Sequence, residues 1–144
     1  MADIIRIVIK SSSGYCDVYD MFKDKVIITS KSISYEYKPM FELKGAEENC
    51  KKWNYKTNSI EFKEKFKYIA ELLLEVIEKE VDKYYLDIGE IEFNITYSDK
   101  SKIRKSYWLP NDYFEELFME IRKLIPECEN IPIGLKLVKD YEEE

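Results

Sequence analysis

The side chains with the clearest capacity for recognition are aromatic. The chain has 12 tyrosines and 2 tryptophans among its 144 residues. Both residue types supply large contact areas at a low cost in side-chain entropy, and they are enriched at the energetic centres of protein interfaces. Strands also favour tyrosine for packing reasons alone, so this excess has a structural explanation as well. Alternation along predicted strands nominates these residues for binding: Tyr15, Tyr19, Tyr35 and Tyr37.

A predicted hairpin, DKSKIRKSYW at 99–108, places basic groups beside aromatic ones. Such interleaving can follow a nucleic-acid backbone and stack on bases. Lysines on an edge hairpin also serve to discourage strand pairing. The net charge of −6 argues against a nucleic-acid partner, because phosphate neutralisation supplies most non-specific affinity. The hairpin nominates four further binding residues: Arg104, Lys105, Tyr107 and Trp108.

Catalytic chemistry has few candidates in this sequence. Histidine is absent, which excludes Ser-His-Asp and Cys-His nucleophile systems and histidine-ligated metals. The pairs Asp17/Asp20 and Asp87/Glu90 fall at predicted turns or strand edges, and neither has the spacing of a defined acid–base pair across a cleft. The sequence therefore nominates no catalytic residue, no metal ligand and no cofactor.

The three cysteines, Cys16, Cys50 and Cys128, are far apart and form no C-x-x-C pair. This spacing argues against zinc-ribbon and thioredoxin-like sites, and it predicts free thiols in a reducing cytoplasm. The N-terminal segment MADIIRIVIK carries charges and lacks a cleavage site after an apolar core, so it predicts a strand and not a signal peptide. No apolar run is long enough to span a membrane.

The longest segment with a regular spacing of apolar residues lies at about 59–81, and the strands are expected to pack around it. Apolar residues recur there at spacings of three and four, which predicts one buried face of an α-helix. Asn58 followed by Glu61 has the spacing of an N-cap and its partner. The predicted buried face consists of Phe62, Phe66, Ile69, Leu73, Val76 and Ile77.

The remaining pattern predicts short strands and a second helix. Alternation predicts strands at 3–10, 15–22, 26–30, 33–38, 90–97 and 102–108, with Lys23-Asp24-Lys25 as a turn. A second helix is expected at about 112–125, capped by Asp112. The sequence thus predicts a single α+β domain over 1–144, with an antiparallel meander sheet of about 5–7 strands and both helices on one face.

Two functions of different class follow from these features. The first is a small acidic, non-catalytic protein that docks on another protein through a tyrosine-rich sheet face or edge. The alternative is a small enzyme or ligand-binding domain that uses carboxylate and tyrosine groups in a pocket between sheet and helices. The negative charge suits either a basic partner surface or solubility alone. A homodimer is a further alternative, because helices on one side of the sheet leave its other face to water or to a partner.

Overall fold

The computed structural model describes residues 2–13, 22–39, 51–81 and 88–141. Six strands form one antiparallel sheet in the order β4-β3-β2-β1-β5-β6. Their bounds are Ile4–Ser12 (β1), Phe22–Thr29 (β2), Ser32–Pro39 (β3), Lys51–Lys56 (β4), Ile91–Tyr97 (β5) and Lys102–Tyr107 (β6). The α+β class and the antiparallel sheet with helices on it are confirmed.

The first helix, α1 (Ile60–Glu78), packs its apolar face on the sheet. Its cap is Ser59, whose side chain accepts a hydrogen bond from the Phe62 N–H, so the predicted cap at Asn58 was wrong by one residue. Serine and asparagine are both good caps, and the sequence spacing alone did not choose between them. Phe62, Phe66, Ile69 and Leu73 are buried as predicted.

The second helix, α2 (Glu115–Arg122), is shorter than the predicted 112–125. A 3₁₀ turn at Asn111–Phe114 precedes it, and Asp112 caps nothing in α2. The Asp112 carboxylate instead accepts the backbone N–H of Val138, at 2.9 Å. The C-terminal segment forms two 3₁₀ turns, Ile133–Leu135 and Val138–Tyr141. The carboxylate that was expected to cap a helix therefore anchors this segment.

The predicted turn at Lys23-Asp24-Lys25 is wrong, because β2 runs straight through it. Asp24 points to the helix-covered side of the sheet, where only 4% of it is exposed, and Lys23 and Lys25 point to the other side. A charged residue on the buried side of a strand is costly unless polar partners satisfy it. Here partners from distant parts of the chain do so, and the local sequence gave no sign of them.

Alternation along the strands separates two very different faces. On the helix-covered face, Ile7 lies between Ile28 and Ile95 on neighbouring strands, and Ile9 lies between Val26 and Phe93. These side chains and the buried faces of α1 and α2 belong to one hydrophobic cluster. A register irregularity between Ile4 and Arg6 leaves Ile5 48% exposed, although strict alternation along a strand would place it on the same face as Ile7.

Candidate binding surface

The sheet face opposite the helices, here called the polar face, carries a pronounced excess of positive charge. The strand register places together on it nine basic residues of the described strands: Arg6, Lys10, Lys23, Lys25, Lys38, Lys52, Lys56, Lys102 and Arg104. Only two acidic residues of those strands, Glu36 and Glu92, share it. The chain as a whole has a net charge of −6. Positive charge is therefore concentrated on one surface of an acidic protein.

The two glutamates of the polar face are each shared between two cations. The Glu92 carboxylate forms a salt bridge with the Arg104 guanidinium at 2.8 Å and lies 3.9 Å from the Lys10 ammonium. The Asn94 amide also donates to it, at 2.6 Å, and this hydrogen bond together with the two cations lowers the pKa of Glu92 below its usual value. Glu36 lies 3.4 Å from Lys38 and 3.9 Å from Lys25. Both carboxylates thus hold basic side chains in place on the sheet.

A cleft of about 420 Å³ lies on this face. Its lining comes mainly from β1, β2, β3 and β5, together with Arg104 of β6. The charged residues that line it are five basic ones, Lys10, Lys23, Lys25, Lys38 and Arg104, and four acidic ones, Asp24, Glu36, Glu90 and Glu92.

The tyrosines nominated from the sequence do not form an exposed surface where they are described. Tyr35 lies on the helix-covered face, is only 6% exposed and packs beside Trp53, with 6.0 Å between ring centroids and the two rings tilted by 39°. Tyr37 points to the same side, packs against the hydrophobic cluster and stacks on Phe22 at 5.6 Å. Tyr15 and Tyr19 lie outside the described residues. The strand period that made Tyr35 and Tyr37 look like partners on one face is correct, but that face is the covered one.

The four residues nominated from the hairpin are also separated by strand alternation. Arg104 points to the polar face, opposite Asn94, whereas Lys105 lies opposite the core residue Phe93 and is exposed at the sheet edge. Tyr107 is buried, and burial raises the pKa of its hydroxyl. Trp108 is 46% exposed. Of this group, the structure brings only Arg104 into the basic surface, so adjacency in the sequence was a poor guide to shared location.

The remaining basic residues of the polar face were not nominated from the sequence. Their signal was a cross-strand pattern: Lys23 and Lys25 at alternate positions of β2 lie opposite Lys38 and Lys10, and Lys52 of β4 lies opposite Glu36, which is visible only when the register is known. Lys23 and Lys25 were assigned to a turn, which concealed that both point to the same side. The register was needed to find this surface.

A second polar site lies inside the protein around Asp24. One carboxylate oxygen accepts the Tyr35 hydroxyl at 2.9 Å and the Gly134 N–H at 2.8 Å. The other, Oδ1, and the Ser11 hydroxyl are buried with no regular hydrogen bond among the described residues, although the hydroxyl is close enough to Asp24 to lower its pKa. Burial raises the pKa of Asp24 to about 6, and burial together with this neighbouring carboxylate raises the pKa of Tyr35. The site fastens the C-terminal segment to β2.

Comparisons with known proteins give no relative for this chain: no family model, curated protein or solved structure matches it. Within the described ranges, no three His, Cys, Asp or Glu side chains are grouped so that they could hold a metal ion. No helix in those ranges is long and apolar enough to cross a membrane.

Proposed function

We propose that this chain is a non-catalytic binding protein, and that the polar face docks on an acidic surface of another protein. The observation that carries the proposal is the charge imbalance of that face, with nine basic and two acidic residues in a chain of net charge −6. Complementary potentials guide association and select partners. A face of six strands is about 24 Å wide, which suits a partner of comparable size.

Three features favour an acidic protein over a nucleic acid as the partner. The aromatic side chains of the described strands point to the helix-covered side, so these strands offer no ring on the polar face for bases to stack on. Glu36 and Glu92 lie among the basic side chains, and their carboxylates would repel the phosphates of a continuous nucleic-acid backbone. The overall negative charge also opposes long-range attraction of a nucleic acid, which is charged along its whole length, more strongly than that of a protein whose negative charge is confined to one patch.

A second copy of the chain is a poorer occupant of this surface. A symmetric dimer through the polar face would bring the same basic residues of both copies together, because a two-fold interface joins identical patches. Like charges placed opposite each other across an interface cost affinity. We place this binding function in the cytoplasm, because the cysteine spacing predicts free thiols in a reducing compartment.

The test uses a fluorescein-labelled peptide rich in Asp and Glu, with binding followed by fluorescence anisotropy at low salt. The variant Arg6→Glu/Lys52→Glu/Lys102→Glu reverses three charges on the polar face outside the cleft. We expect it to lose roughly tenfold or more in affinity, since each exposed charge pair contributes about 0.2–1 kcal/mol. The matched control, Lys63→Glu/Lys65→Glu/Lys67→Glu, makes the same charge change on exposed positions of α1 and should bind as the unaltered protein does.

Two outcomes would contradict the proposal. Equal losses in both triple variants would mean that net charge, and not the polar face, determines binding. Tighter binding to a single-stranded DNA of the same charge as the peptide would contradict a protein partner. Circular dichroism of both variants would check that each one is folded.

The alternative function, a small enzyme or ligand-binding domain, has one observation in its favour. Asp24 is a buried carboxyl group with a pKa of about 6, and it accepts a hydrogen bond from the Tyr35 hydroxyl. Carboxyl groups with such shifted pKa values are found at catalytic sites. Its side chain is 4% exposed and its hydrogen bonds hold the C-terminal segment. A substrate would have to displace that segment, and we therefore place this alternative second.

A further inference from the structure

Lysines that face one another across strands are the unusual feature of the polar-face cleft. Lys10 of β1 lies directly opposite Lys25 of β2, and Lys23 of β2 lies directly opposite Lys38 of β3. Directly opposed side chains on one face of an antiparallel pair have Cβ atoms roughly 4.5–5.5 Å apart, and like charges in such positions destabilise a sheet. Four ammonium groups therefore share a small area at the cost of mutual repulsion.

Two glutamates share this area, since Glu36 contacts Lys25 and Lys38 and Glu92 contacts Lys10. In one row across the sheet the order is Glu36, Lys25, Lys10, Glu92, so the two lysines are direct neighbours and a carboxylate lies beyond each of them. The contacts of Glu36 with Lys25 and of Glu92 with Lys10 are both 3.9 Å long. Exposed ion pairs of this kind contribute little and leave the lysine able to bind another anion. In the described part of the chain, Lys23 has no ion-pair partner at all.

From this arrangement we propose that the cleft binds the phosphoryl group of a phosphorylated side chain on the acidic protein partner, an inference that rests on the proposed function. A phosphomonoester carries a charge of about −1.5 to −2 at pH 7 and presents three acceptor oxygens. It can accept hydrogen bonds from Lys10, Lys23 and Lys25 together and so relieve their repulsion. A carboxylate brings only one charge and two oxygens to the same place.

The volume of the cleft agrees with this assignment. At about 420 Å³ it has room for a phosphoryl group and for part of the peptide that carries it. Glu36 and Glu92 lie beside these lysines and would share them with the bound phosphoryl group. Asn94, which donates to Glu92 at 2.6 Å, holds that glutamate in turn.

The experiment compares two labelled acidic peptides that differ only in one central residue, serine or phosphoserine. We expect the unaltered protein to bind the phosphoserine peptide about tenfold or more tightly than the serine peptide. The variant Lys10→Ala/Lys25→Ala should lose this preference while still binding the serine peptide. The matched control Lys63→Ala/Lys67→Ala, on the outer surface of α1, should keep the preference.

The outcomes separate this inference from the proposed function. Equal affinity for the two peptides, or a preference that survives in Lys10→Ala/Lys25→Ala, overturns the phosphoryl site and leaves docking of an acidic protein standing. Failure of both peptides to bind overturns both. Displacement of the phosphopeptide by an equal concentration of inorganic phosphate would assign the cleft to the free anion and overturn the protein-borne source.

Discussion

At the scale of single residues, Asp24 is the group whose environment departs most from what its type suggests. It lies on the covered face of β2, and the residues that satisfy it, Tyr35 and Gly134, are 11 and 110 positions away in the chain. A Cβ atom at position 134 would come within 2.5 Å of the Ser11 hydroxyl and 2.6 Å of Asp24 Oδ1, so glycine is needed there for close approach. No local sequence pattern could predict this arrangement.

The raised pKa of Asp24 has a defined consequence for stability. Its folded-state pKa of about 6 exceeds the ordinary value of 3.8, so its contribution is fully present below pH 3.8 and is lost as the pH rises through 6. We expect the free energy of unfolding to fall by about 1 kcal/mol between pH 5 and pH 7.5. Urea unfolding at a series of pH values measures this change.

The control for this prediction is Asp24→Asn, which stays neutral throughout and should give a flatter curve over the same range. Glu92 and Asp140 have lowered pKa values, so their contributions are lost only as the pH falls below their ordinary values of 4.5 and 3.8, outside the window. A curve with the same slope in Asp24→Asn would show that another group is responsible.

At the scale of elements, the spacing of apolar residues predicted the two helices and most of the strands. The prediction failed where a polar residue is buried or where two neighbouring residues could both cap a helix. The 60–78 helix and the 91–97 and 102–107 strands lie close to their predicted positions because their patterns are regular. The Lys-Asp-Lys segment of β2 was assigned to a turn because its composition is polar, whereas its alternation was the correct guide. The end of α2 was predicted too far along because its last apolar residues belong to turns.

The role of α1 as the cover of the sheet can be tested at Phe66, which is 4% exposed in the core. Phe66→Ala should lower the free energy of unfolding by about 3–5 kcal/mol, because the lost contacts leave a cavity. Lys67→Ala, next to it but on the exposed side of the helix, should change stability by less than about 0.5 kcal/mol. Near-equal values in urea unfolding would place the core on another face of α1.

At the scale of the whole molecule, the decisive property is the concentration of positive charge on one face of the sheet. The net charge of −6 argues against a nucleic-acid partner, but it conceals a basic sheet face. Composition cannot reveal this, because only the strand register decides which lysines share a surface. The tyrosines, which composition made prominent, serve largely to build the covered side at the positions described, Tyr35 and Tyr37.

The most direct test of the central claim observes the lysines themselves during binding. Reductive methylation with ¹³C-formaldehyde labels each lysine and keeps its charge, so two-dimensional NMR can follow each methyl signal as an acidic peptide is added. We predict that the signals of Lys10, Lys23, Lys25 and Lys38 shift with peptide concentration, and that those of Lys63 and Lys67 on α1 do not. Shifts confined to the α1 lysines, or no shift on the polar face at saturating peptide, would contradict the account.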